Sequence, residues 1–244
     1  MTAEQINQKL KQLYSRHYPC LPQELENFNS GISSKEQATN PLLLQIDDAW
    51  VNADLKIMFF GKETTGWWNN NFSYCQTIQT INELWDLYSD FYLSGNCLKG
   101  KIGVFWQGIK KIQDAFQNIK IGYLWNNLLK IGKCSRGTPN DKIIAITKQY
   151  FNVLEEEIEI LKPDIVVFFT GNYDAYIKEF LGDVKIEQVV GFEEKEFCKM
   201  KITNIPLSVR TYHPNNLRYK KAEEKNAYYL EIIKQLKEYQ DKHK

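Results

Sequence analysis

Apolar residues in this chain fall into two kinds of run. The short, continuous ones are Ile57-Met58-Phe59-Phe60, Gly122 to Lys130, Ile165-Val166-Val167-Phe168-Phe169 and Pro206 to Tyr212. Such runs, rich in β-branched and aromatic side chains, read as strands buried on both faces. Elsewhere apolar residues recur at helical spacing. Ile6, Leu10, Leu13 and Tyr14 predict a helix over Thr2–Tyr14, capped by Thr2 with Gln5 three positions on. Further helices are predicted over Thr77–Leu93, Val104–Phe116, from Asn140 or Asp141 to Leu161, up to Leu181, and over Ala222–Tyr239. Glu155-Glu156-Glu157 reads as a solvated helix face, and Asp183 to Ile205 as short antiparallel strands. Cys20 to Asn40, with Pro22, Gly31 and paired serines, reads as a loop. Strand followed by helix four times over predicts an α/β protein whose parallel sheet is covered on both faces. One domain over residues 1–244 is expected, with residues 1–50 and the C-terminal helix 222–242 packed on it.

Composition narrows the classes. Apolar content of 43% and aromatic content of 14% support a sizeable core rather than disorder. A net charge of +1 neither signals nor excludes nucleic acid, so any cationic patch must be local. Arg210, Arg218, Lys220 and Lys221 form one such cluster in sequence. Five cysteines without a C-x-x-C pair make neither a zinc nor an iron–sulfur pattern, and reduced thiols in a cytoplasmic protein are expected. No metal or other cofactor is expected. The first residues are too polar for a secretory signal, and no apolar run approaches membrane-spanning length.

Candidate chemistry gathers where strands end. Glu63 lies between Gly61 and Gly66, three residues beyond the last apolar side chain of the first strand, Phe60. Ligands of open α/β sheets bind just outside the carboxyl ends of strands, so an acid there is a candidate for chemistry; the plain alternative is a solvated loop glutamate. Asn126 and Asn127 are poor strand material inside an apolar run, and strand alternation points them to opposite faces. Trp67-Trp68-Asn69-Asn70-Asn71-Phe72-Ser73-Tyr74 is either a stacking platform or a loop with its aromatics tucked under it. His213, at the end of the fourth strand, shares Glu63's address in the sheet. His17 and His243 have no comparable context.

The succession strand-Gly61-Lys62-Glu63-Thr64, then Asn127-Leu128-Leu129-Lys130, then Leu161-Lys162-Pro163-Asp164-Ile165-Val166-Val167 and Gly171, then His213-Pro214-Asn215-Asn216-Leu217 resembles the uracil-DNA glycosylase superfamily over roughly residues 55 to 220. The resemblance implies a three-layer α/β/α sandwich around a mainly parallel four-stranded sheet, with a cleft at the strand ends. It implies that Glu63 orients water or steadies a sugar cation, and that His213 polarises a base carbonyl. Asn127 would read the base edge, with Gly61, Lys62 and Asn215 completing the substrate site. Phe72, rather than Tyr74 or Trp67, would stack on the base. Leu217 would insert as a wedge, and Arg218 and Lys220 would hold phosphates. Three features depart from the family pattern: Thr64-Thr65 where a proline is frequent, glutamate in place of a shorter acid or amide, and Asn215-Asn216 in place of serine. The expected function is hydrolysis of the N-glycosidic bond of a damaged or deaminated base in DNA or a nucleotide. One alternative is non-catalytic binding of a nucleobase, nucleotide or nucleic acid on the same fold. Another is an interaction protein that docks through its terminal helices.

Overall fold

The computed structural model describes residues 1–67, 80–116 and 119–243. Six strands build one sheet: β1 (Leu55–Thr65), β2 (Ile121–Lys133), β3 (Ile165–Phe168), β4 (Val184–Gln188), β5 (Phe197–Ile202) and β6 (Ile205–Thr211). Their order is β2-β1-β3-β6-β5-β4. The first four are parallel and in register, with Phe60 opposite both Asn126 and Phe168, and Phe168 opposite Arg210. β5 adds antiparallel to β6, and β4 to β5. The sheet therefore has six strands, not the expected four. The antiparallel pair legible between Asp183 and Ile205 extends the main sheet because Phe197 pairs with Thr211 on the open side of β6.

Alternation along the strands makes two cores. Met58, Phe60, Val166 and Phe168 face one, and Ile57, Phe59, Val167 and Val209 face the other. Helices cover both faces, which is why the parallel strands are apolar on both sides. Strand order reverses at β1, since β2 lies on one side of it and β3 and β6 on the other. A crevice opens beyond the carboxyl ends of strands at such a reversal.

Several local expectations are corrected. β1 continues to Thr65, so Glu63 sits within the strand rather than past it. Residues Leu21–Asn29 are a helix, with Pro22 tolerated in its first turn, where no N–H is required. The helix expected up to Leu161 is two, Asp141–Tyr150 and Leu154–Leu161. The break seats Phe151 in the core, stacked 5.9 Å from Tyr14. It also turns Glu157 inward, so the expected solvated face is wrong at this residue, which is 0% exposed. Its carboxylate accepts from Lys130 Nζ at 2.7 Å, Asn126 Nδ2 at 2.9 Å and Tyr14 OH at 2.7 Å. Burying both charges is tolerable because every partner is satisfied.

The N-terminal helix, Ala3–His17, has the expected Thr2–Gln5 capping box. Cys20, Cys97 and Cys198 are free, whereas Cys134 is disulfide-bonded, which departs from the expectation of reduced thiols. No helix among the described residues is long and apolar enough to cross a membrane.

Candidate functional site

A cavity of about 590 Å³ opens at the carboxyl ends of β1, β2 and β6. Polar side chains from those strands and their ends line it, among them Lys62, Glu63, Asn127 and His213. Residues 150 positions apart in the chain thus meet because the parallel register brings three strand ends together.

Glu63 is held by a side chain that sequence reading did not single out. Tyr173 OH donates to Glu63 Oε2 at 3.0 Å, and the same hydroxyl lies 2.6 Å from Thr138 Oγ1. With the phenolic proton committed to the carboxylate, Thr138 is the donor in the second bond. Burial pushes the Glu63 carboxyl up from its ordinary range, opposed by the Tyr173 hydrogen bond and by the charges of Lys62 and Lys133. Burial likewise lowers the Lys62 amine, partly offset by Glu63. Lys62 Nζ stands 4.3 Å over the Tyr173 ring.

His213 ends β6 and caps the short helix Pro214–Leu217. Its Nδ1 accepts the Asn215 N–H at 3.2 Å, and its ring stacks on Phe105 at 5.3 Å and 16°. Burial, reinforced by the Lys62 charge, drops its pKa to about 4. The ring is therefore neutral near pH 7 with its proton on Nε2, which makes Nε2–H a donor. Asn215 serves this arrangement through its backbone and also lines the cavity.

The paired asparagines part as alternation predicts. Asn126 enters the Glu157–Lys130 network, while Asn127 lines the cavity. Asn126 Oδ1 accepts the Asn127 N–H at 2.8 Å, which fixes the backbone between them. Asn127 Nδ2 is buried with no hydrogen-bond partner, and so are the indole Nε1 of Trp67 and of Trp125. Gly61 pairs with Asn127 across β1 and β2, and a Cβ at Gly61 would collide with Asn127 Oδ1. The glycine is needed for this close approach.

The walls are aromatic. Trp67 and Trp125 meet edge to face at 5.6 Å, and Trp106 meets Trp125 in the same way at 5.1 Å. Of the proposed stacking residues, Trp67 lines the cavity, while Phe72 and Tyr74 lie outside the described residues. At the rim stand Arg136, Arg218 and Tyr219.

Three sequence assignments fail on burial or distance. Leu217 is 0% exposed and packs in the core, so it is no wedge. The exposed apolar group on that turn is Tyr219, 77% exposed, with the Arg218 guanidinium 4.6 Å over its ring. Lys220 turns away from the cavity to Glu196, at 3.4 Å, and to the rings of Tyr212 and Tyr228. Arg210 is buried and bonded to Asp174 at 2.8 Å, so it leaves the expected cationic cluster. Arg136, distant in sequence, takes a place at the rim instead. Tyr173 had one usable signal, its position just after Gly171 at the end of β3. Arg136 and Tyr219 had none.

Among the described residues no group of three or more His, Cys, Asp or Glu side chains gathers to hold a metal. No curated protein matches the chain. The family model of the Uracil DNA glycosylase superfamily matches residues 50–237, from just before β1 into the last helix. With that match spanning well over half of its length, the chain belongs to the uracil DNA glycosylase superfamily.

Proposed function

We propose that this cavity hydrolyses the N-glycosidic bond of a base in DNA or a nucleotide. The observation that carries the reading is that Glu63 and a neutral, Nε2-protonated His213 line one cavity. Cleavage of a glycosidic bond builds positive charge on the sugar and negative charge on the departing base. A carboxylate held at Glu63 stabilises the first or orients the attacking water, and the His213 Nε2–H donates to a base oxygen as its charge grows. Asn127 supplies a donor for the base edge that no protein group uses. The aromatic walls offset the few kcal/mol that unstacking a base costs. Arg136 and Arg218 are placed for phosphates, and Tyr219 for stacking on a neighbouring base. Residues 1–50 and the last helix belong to the same working unit in this reading. Tyr14 reaches Glu157 beneath the site, and Lys111 bonds Asn226 across the other face.

A second reading, recognition without cleavage, draws on one observation: burial disfavours the charged form of Glu63, the form the chemistry needs. A single-turnover assay separates the two. Labelled single- and double-stranded oligonucleotides carrying uracil, hypoxanthine, xanthine or a mismatch are incubated with the protein and with Glu63→Ala. Base release that falls about 10²- to 10³-fold in the variant supports hydrolysis. Binding with no release on any substrate supports recognition.

A further inference from the structure

Lys62 is a charged side chain of the cavity lining that base hydrolysis leaves without a task. Lys62 lines the same cavity as Glu63 and His213, and its charge acts on both of them. No carboxylate among the described residues ion-pairs with it, and its recorded partner is the face of Tyr173. A cavity lysine of this kind is neither a salt-bridge anchor nor a solvated surface charge. Burial lowers its pKa, which raises the share of free amine near neutral pH, and a free amine is a nucleophile toward carbonyl carbon.

We propose that Lys62 forms an imine with C1′ of the abasic deoxyribose left by base removal, giving this site a second, strand-cleaving lyase activity. The inference rests on the proposed hydrolysis, because that reaction places C1′ between Glu63 and His213. After base loss the sugar opens to a C1′ aldehyde. The Lys62 Nζ lone pair attacks C1′, and the resulting carbinolamine loses water to give a protonated C=N bond. The Glu63 carboxylate takes a proton from C2′, and the electron pair released forms C1′=C2′ as an enamine. That pair then expels the 3′ phosphate, breaking the C3′–O bond. Water hydrolyses the imine, returning the free amine and releasing an unsaturated aldehyde on the strand end. No oxidant, reductant or metal is required.

The test uses the full chain with an oligonucleotide carrying a preformed abasic site, so it does not depend on base release. Borohydride reduces the imine to a stable amine and cross-links protein to DNA. The expected result is a cross-link with the wild-type protein that maps by peptide mass to Lys62. It should fall at least tenfold in Lys62→Met and persist in Lys234→Met, a substitution on the exposed face of the last helix. A cross-link mapping to another lysine, or none with wild-type protein that releases base, overturns the proposal and leaves the hydrolysis reading standing. A Lys62 cross-link in a protein that releases no base supports the lyase and removes the hydrolysis reading. Because the adduct is mapped on wild-type protein, the test survives any folding defect in Lys62→Met.

Discussion

The hydroxyl of Tyr173 donates to Oε2 of Glu63 at 3.0 Å across the ends of β3 and β1, 110 residues apart in the chain. This bond favours the carboxylate against the burial that disfavours it. Removing it with Tyr173→Phe should raise the Glu63 pKa further. If base release needs the carboxylate, the acid limb of its pH–rate profile should move to higher pH by about one unit, the worth of roughly 1.5 kcal/mol for one hydrogen bond to a charged group. An unmoved acid limb would separate Tyr173 from the ionisation of Glu63.

His213 is predicted to stay neutral well below the ordinary histidine range. Its pKa of about 4 in the folded protein lies under the roughly 6.5 of an unfolded chain, so between these values the unfolded state binds more protons. Its contribution to stability is therefore complete above about pH 6.5 and lost as the pH falls toward 4. Thermal melts of wild type and His213→Asn should diverge over that window, with the wild type losing more stability on acidification. Parallel curves would mean that the histidine titrates normally.

Gly61→Ala should act through Asn127. The added methyl meets Asn127 Oδ1, so the amide must move while β1 stays paired. Oligonucleotide binding should weaken about tenfold or more, equivalent to about 1.4 kcal/mol, with a smaller change in the thermal midpoint. Binding unchanged to within twofold would show that Asn127 does not touch the ligand.

The buried Lys130–Glu157 pair gives an asymmetric prediction. Lys130→Met leaves the Glu157 carboxylate without its main partner and should cost about 3–5 kcal/mol in urea unfolding. Lys130→Met combined with Glu157→Met should recover most of that loss, because two apolar residues need no counter-charge. Additive losses in the double variant would contradict this account.

Tyr219→Ala should weaken oligonucleotide binding more than binding of a single nucleotide, because the ring lies at the rim and not on the floor of the cavity. A loss of about 1–3 kcal/mol for the oligonucleotide is the usual worth of one stacked base. Equal losses for both ligands would place the ring in the base site itself.

Sequence by itself determined the parts of this protein that follow from periodicity and from residue order. Continuous apolar runs marked the four parallel strands because both of their faces are buried. Alternation alone separated Asn126 from Asn127, and the shared position at strand ends linked Glu63 with His213. Only the tertiary structure decided what depends on neighbours remote in the chain. The direction of Glu157 was set by a helix break and by Lys130 on another element, and no local pattern encodes a buried partner. Leu217 and Tyr219 lie two residues apart on one turn, and burial of Leu217 in the core decided which of them is exposed. Tyr173 and Arg136 joined the site because sheet order, not sequence spacing, brings their loops to the ends of β1 and β6. Local preferences act over a few residues, whereas burial and charge pairing are settled only when distant segments pack.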